Sequence, residues 1–253
     1  MAMNQPQLPV PTDKRLYALD LAAKQVTAIL DRLNCRHAYI GGYAVSLLGS
    51  NRVTAGLDVI VSSDPLEIRE KILRSSTAFR TTEYGKLVCR VEDWFGDKKD
   101  VFVDVFRGGG GGAAAGAGPL TLPDAGSVPI YLTKMTFLGT PVIHPPVLIH
   151  TKLQKWMSIS QSPTPEIQTK AANDLHDIET ILKWLSKRHL RVDFAGYPEM
   201  SKDRLLSMFR ELCTVRWGGL QELVGKVLEK EDFEVVRLVE EEEEEEVLVD
   251  GME

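Results

Sequence analysis

Residues 37–61 carry the feature that most restricts the fold. A short apolar run, His37-Ala-Tyr-Ile40, ends in Gly41-Gly42. A helical stretch, Tyr43–Leu48, follows and stops at Gly49-Ser50, and a β-branched run, Leu57–Val61, comes next. Strand, glycine pair, helix and strand in so short a span require a sheet with helices packed on it.

The flanking segments extend the pattern. Leu16, Leu19, Val26, Ile29, Leu30 and Leu33 share one helical face. Asp64-Pro65 starts another helix, with Asp64 as N-cap and Pro65 at the first position. Phe79–Trp94 predicts one or two strands, the second over Lys86–Val91, and Val101–Phe106 predicts a further strand. Arg107–Gly118 is almost entirely Gly and Ala and predicts a flexible loop. Thr136–Ile143 predicts two short strands around Gly139-Thr140. Only helices follow: Val147–Met157, the amphipathic Gln168–Arg188 after a Ser158–Pro165 loop, Leu205–Val215 and Leu220–Leu228. The expected class is α/β (α+β), with a mixed-sheet core over 13–145 and a helical domain over 146–235. A proline-rich tail covers 1–12 and an acidic tail 236–253.

Charge and cysteine exclude several classes. The net charge is −6, but seven carboxylates sit in Glu240–Glu246, so the rest of the chain is near neutral. Neither a basic nucleic-acid face nor its absence follows from that balance; the run itself reads as a solvated tail. Three widely spaced cysteines, Cys35, Cys89 and Cys213, with no Cys-x-x-Cys, fit free thiols in a reducing compartment and exclude a zinc ribbon or disulfide scaffold. Apolar runs fall short of the ~20 residues that cross a bilayer. No secretory leader opens the chain, so a cytoplasmic location is expected. The histidines show no ligand spacing, and Trp156, Trp184 and Trp217 have the spacing of helix core residues.

Three places can carry chemistry. Gly41-Gly42 stands where a strand opens into a helix, where free backbone N–H groups can hold phosphate oxygens. Asp58 and Asp104 each stand among valines and other apolar residues on separate expected strands. Acids at the ends of neighbouring strands, facing one cleft, hold Mg²⁺ against a triphosphate. The plain alternatives are a tight turn for the glycines, a solvated acid at Asp104, a surface charge at Arg52, solvated-face lysines at Lys152 and Lys170, and local pairing on their own helix for Asp174 and Asp177.

The segment Tyr39–Val61 resembles the nucleotidyltransferase superfamily of DNA polymerase beta type. Its pattern is a strand, a glycine pair opening a helix, then Asp-x-Asp on a strand and a third acid on a later one. Gly41-Gly42, Asp58 and Asp104 match, and Arg52-x-Thr54 is similar to the branch with minimal and small-molecule-modifying members. The resemblance continues through Pro141–Leu153, which includes Lys152, and through Lys170, Asp174 and Asp177, over about residues 37–185. One position departs: the first acid of Asp-x-Asp is Gly56.

The resemblance implies transfer of a nucleoside monophosphate from an NTP to a hydroxyl or amine acceptor, with Mg²⁺ or Mn²⁺. Asp58 and Asp104 would hold the metal, and Asp104 would also serve as base. Gly41, Gly42, Ser50, Arg52 and Lys152 would bind the nucleotide. The acceptor is left open between a small molecule, RNA and protein. Gly56 also opens a second reading, an inactive relative that binds nucleotide, RNA or a protein partner, and a third, a toxin-like or antitoxin-like module, uses the same fold. Losing one carboxylate of three weakens Mg²⁺ binding.

Overall fold

The computed structural model describes residues 16–52, 54–109, 121–133, 139–215 and 219–237. The tail 1–12, most of the Gly/Ala segment (110–118), Trp217 and the acidic run lie outside the described residues. The chain divides into two units: Met1–Gly112 with Leu122–His144, and Ala113–Thr121 with Pro145–Glu253.

Among the described residues, the first unit carries a seven-stranded mixed sheet in the order β3-β4-β5-β2-β1-β7-β6. Its strands are β1 (His37–Ile40), β2 (Gly56–Val61), β3 (Phe79–Thr81), β4 (Leu87–Glu92), β5 (Lys98–Arg107), β6 (Ile130–Leu132) and β7 (Pro141–Ile143). β1 runs antiparallel to β2 and parallel to β7, and β2 runs parallel to β5. Residues alternate between faces with period two. Tyr39, Leu57, Val59, Cys89, Val91, Val101 and Val103 therefore share one face, and all are buried. Helix α1 (Tyr17–Arg32) packs there: Tyr39 Oη donates to the Ala23 carbonyl at 2.9 Å, and Cys89 Sγ reaches Gln25 at 3.8 Å.

Helix α1 ends as its sequence requires. Asn34 takes the left-handed conformation (φ 50°), its N–H donates to the Asp31 carbonyl, and the Cys35 N–H donates to the Leu30 carbonyl. This paired arrangement caps the last turn and aims the chain into β1. Helix α3 (Pro65–Ser75) starts at the expected cap, with Asp64 Oδ1 accepting from the Leu66 and Glu67 amides at 3.0 and 2.9 Å.

Four expectations need correction. Helix α2 spans Gly41–Ser46, so the glycine pair lies inside its first turn rather than before it. Arg107 closes β5, the Gly109 N–H donates to the Leu122 carbonyl, and a β-carbon on Gly108 would overlap the Pro123 carbonyl. The start of the Gly/Ala segment is therefore close-packed backbone, not free loop. The strand before Gly139 is β6, upstream of the stretch read for it, and residues 134–138 lie outside the described residues. A helix also covers 230–237, where the spacing had suggested nothing beyond residue 228.

The second unit is helical: α4 (Pro145–Ile159), α5 (Pro165–Lys187), α6 (Lys202–Thr214), α7 (Leu220–Val227) and the 230–237 helix. Pro145-Pro146 opens α4 and Pro165 opens α5, since a first helical turn needs no N–H from proline. Ile178, Ile181, Leu182 and Leu185 form the buried stripe of α5, and Trp156 and Trp184 pack as core residues. Thr121 belongs to this unit. Its N–H donates to Gln154 Oε1 at 3.1 Å, and its carbonyl accepts from Gln154 Nε2 and Tyr197 Oη. No helix among the described residues is long and apolar enough to cross a membrane.

Candidate functional site

The site is set by the register of β2 against β5. Gly56 lies opposite Phe102 and Asp58 opposite Asp104. Registered partners point to the same face and stand about 4.8 Å apart between neighbouring strands. The two carboxylates are therefore side by side on the sheet face away from α1, Asp58 half-buried and Asp104 exposed. β4 pairs with β5 as far as Phe102, and at Asp104 the paired neighbour is β2.

The glycine pair closes one side. Gly41 has φ +69°, a conformation that L side chains rarely adopt, and a β-carbon there would overlap Asp58 Oδ2. Glycine is thus required both for the turn and for the approach of the carboxylate. A β-carbon on Gly42 would lie 2.6 Å from an Arg52 Nη and 2.8 Å from Thr54 Oγ1, so the guanidinium and the hydroxyl rest on the bare backbone of this turn. Tyr39 and Tyr43 hold the turn from behind. Tyr43 Oη donates to Asp20 Oδ1 at 2.7 Å, and the two rings meet edge to face at 5.5 Å. Burial keeps both phenols above the ordinary tyrosine pKa, so neither is a base at neutral pH.

Of the residues singled out in the sequence, Gly41, Gly42, Arg52, Asp58 and Asp104 come together here, and two others have different roles. Ser50 is buried, and its Oγ accepts from the Arg52 amide at 3.3 Å, so it orients the Arg52 turn. Lys152 belongs to the second unit, is 2% exposed, and donates to Asp174 Oδ1 at 3.0 Å and Asp177 Oδ2 at 2.7 Å. Its ammonium is committed to internal carboxylates, which removes it from the nucleotide-binding set. The same contacts correct the reading of Asp174 and Asp177 as partners of lysines on their own helix.

Three residues outside the original set stand at the site. Thr54 had a signal, its spacing from Arg52. Phe102 and Lys86 had none, because their proximity comes from strand pairing. Phe102 is 38% exposed on the face of the two acids, one same-face step before Asp104, and Lys86 Nζ lies 5.5 Å above its ring.

The donor set decides which metal chemistry fits. Among the described residues no group of three or more His, Cys, Asp or Glu could hold an ion. At Gly56, two residues before Asp58, a β-carbon would stand 3.0 Å from both Cβ and the carbonyl oxygen of Phe102. Two adjacent carboxylates suit one Mg²⁺ whose remaining ligands are phosphate and water. They do not make a cage for two ions.

No family model matches the chain, and no curated protein matches it in sequence. A solved structure shares its fold, and two more distant ones are also matched. An antigenic nucleotidyltransferase-like protein from Paracoccidioides brasiliensis is 18% identical, with a TM-score of 0.63 over 90% of this chain and 99% of that one. JHP933 from Helicobacter pylori is 11% identical (TM-score 0.46; 95% of this chain, 99% of that one). ANT(2")-Ia, solved with adenylyl-2"-tobramycin, is 14% identical (TM-score 0.37; 67% and 98%). The fold is nucleotidyltransferase-like.

Proposed function

We propose that the chain binds a nucleoside triphosphate together with one divalent cation and transfers the nucleoside monophosphate to a hydroxyl or amine. The observation that carries this reading is the registered Asp58–Asp104 pair beside Gly41-Gly42, in a fold of this kind.

Each residue has a part. Asp58 and Asp104 would hold Mg²⁺ or Mn²⁺, which when bound offsets phosphate charge and favours departure of pyrophosphate. Arg52 and Thr54 lie on the glycine turn and would meet the phosphates there. Asp104, the more exposed acid, accepts the proton of the attacking hydroxyl or amine. A bond forms from the acceptor atom to the α-phosphorus, the α–β bridging bond breaks, and pyrophosphate leaves. With two carboxylates in place of three, the reaction is expected to be slow.

A second reading, nucleotide binding without transfer, is favoured by Gly56 and its contact with Phe102. One experiment separates the two. The chain is incubated with each NTP, Mg²⁺ or Mn²⁺ and a panel of small amines, sugars, RNA and protein, and pyrophosphate is followed. Release that disappears in Asp104→Asn supports transfer. No release from any NTP, alongside a melting temperature raised by Mg-ATP, sinks transfer and leaves binding.

A further inference from the structure

The sheet face that carries the acid pair continues past it, and nothing in the proposed reaction uses that continuation. Register places Arg80, Val88, Arg90, Asp100, Phe102, Asp104, Gly56 and Asp58 on one face, running from the β3 edge to β2. Arg80 and Arg90 both hold Asp100, Arg90 Nε at 3.0 Å from Oδ1. The arginine side chains remain 44% and 48% exposed. Arg80 and Arg90 thus stand against one carboxylate, and Lys86 lies beside them over the Phe102 ring. Farther out, Glu92 and Lys98 face each other in register and offset.

Phe102 stands between this cationic patch and the acids. Gly56, which has no side chain, lies opposite it on β2, and Phe102 is 38% exposed. From Asp104 to Asp100 is four residues of strand, about 13 Å. That span is too long for one nucleotide already seated at the acid pair. It is long enough for the next units of a chain, with a base on the ring and phosphates at Lys86 and the arginines. An exposed aromatic amid cations is the pattern that takes single strands, whose bases are free to stack.

We infer that the acceptor is a single-stranded polynucleotide, laid along the β5–β4–β3 face with a base stacked on Phe102, its backbone phosphates at Lys86, Arg80 and Arg90, and its terminal hydroxyl at Asp104. This inference deepens the proposed function and rests on it for the role of Asp104. The binding surface itself can be tested without turnover.

The experiment is fluorescence anisotropy with a short labelled oligoribonucleotide across a salt series, using the full chain. Competitors are the matching duplex, a mononucleotide and heparin. The single strand should bind more tightly than all three. Phe102→Ala should weaken it by about ten- to hundredfold, the range for loss of one base-stacking contact, while Phe102→Trp retains binding. Arg80→Gln with Arg90→Gln should weaken binding and flatten its salt dependence. Melting curves check that each variant is folded. Heparin or duplex bound as tightly as the single strand overturns the inference, because the face then reads charge alone. So does a Phe102→Ala variant that binds normally, or that loses mononucleotide affinity equally. Binding as expected without pyrophosphate release upholds the surface and removes nucleotidyl transfer. Pyrophosphate release to small amines with no oligonucleotide binding does the reverse.

Discussion

The chain contains two pairs of aspartates with opposite surroundings. Asp174 and Asp177 sit one turn apart on α5, 3% and 0% exposed, closed around the Lys152 ammonium from α4. Asp58 and Asp104 sit on neighbouring strands, one half-buried and the other open. Taking carboxylates out of water is tolerated only with a cation and hydrogen bonds in place. The buried pair has its cation built in, so its role is structural. The open pair keeps Asp104 in solvent and sets Asp58 against the glycine turn, the arrangement on which the proposed cation site rests.

The sharpest way to break this comparison is to remove the internal cation. Lys152→Met should cost about 3–5 kcal/mol, because two buried carboxylates lose the Lys152 ammonium. Urea unfolding, or a melting temperature lower by about 10 °C, would register it. Replacing all three residues with apolar ones of similar size should restore most of the loss. A Lys152→Met protein of normal stability would mean that the pair is not buried as described.

Acid pH provides the next test. His150 is fully buried against Phe194, Tyr197 and Phe209, with Nε2 3.0 Å from the Asp193 carbonyl, and burial lowers its pKa to about 4. A depressed folded-state value means that the unfolded chain binds the extra proton. Stability is therefore complete above about pH 6.5 and falls as pH drops towards 4, by roughly 3 kcal/mol for this group. His37, also lowered by burial, adds in the same direction. Denaturant midpoints across that window should decline in the wild type and decline less in His150→Phe.

Gly56→Asp acts on the open pair. Position 56 opens β2 without positive φ, but a side chain must displace the Phe102 carbonyl by a few tenths of an ångström. The expected cost is about 1 kcal/mol, with Gly56→Ala giving the steric share alone. Transfer should rise, since the new carboxylate lies on the same face as Asp58. A fully active wild type with no gain in Gly56→Asp would show that the glycine is not a lesion.

The smallest effect on stability is expected from Asp104→Asn, within about 0.5 kcal/mol as for other exposed positions. That variant should nonetheless lose any rise in melting temperature produced by Mg-ATP. An undiminished thermal shift would move the ligand elsewhere.

The sequence showed the elements more readily than their pairing. Asp64-Pro65 marked the start of α3, and the stripe from Ile178 to Leu185 marked α5, because caps and periodicity are local. β5 was read as Val101–Phe106 but runs Lys98–Arg107, since its polar ends, Lys98–Asp100 paired with β4 and Arg107 paired with β2, carry no apolar signal. That Asp58 stands opposite Asp104 depends on the β2–β5 register, a long-range property without local trace. Phe102 and Lys86 escaped for the same reason. Lys152 was misjudged because an amphipathic pattern cannot show that two aspartates on another helix will enclose an ammonium.

The route of the backbone between β5 and β6 affects how this protein can be divided. The polypeptide leaves the sheet unit, contributes Thr121 to the helical unit, and returns to complete β6 and β7. A clone ending at residue 144 would encode every strand of the sheet. It would also export a threonine whose amide and carbonyl belong to Gln154 and Tyr197. The two units are consequently not interchangeable modules: a cut at the 144–145 boundary parts Thr121 from its partners, so shuffling, truncation and split-protein designs must keep Thr121 with the helices.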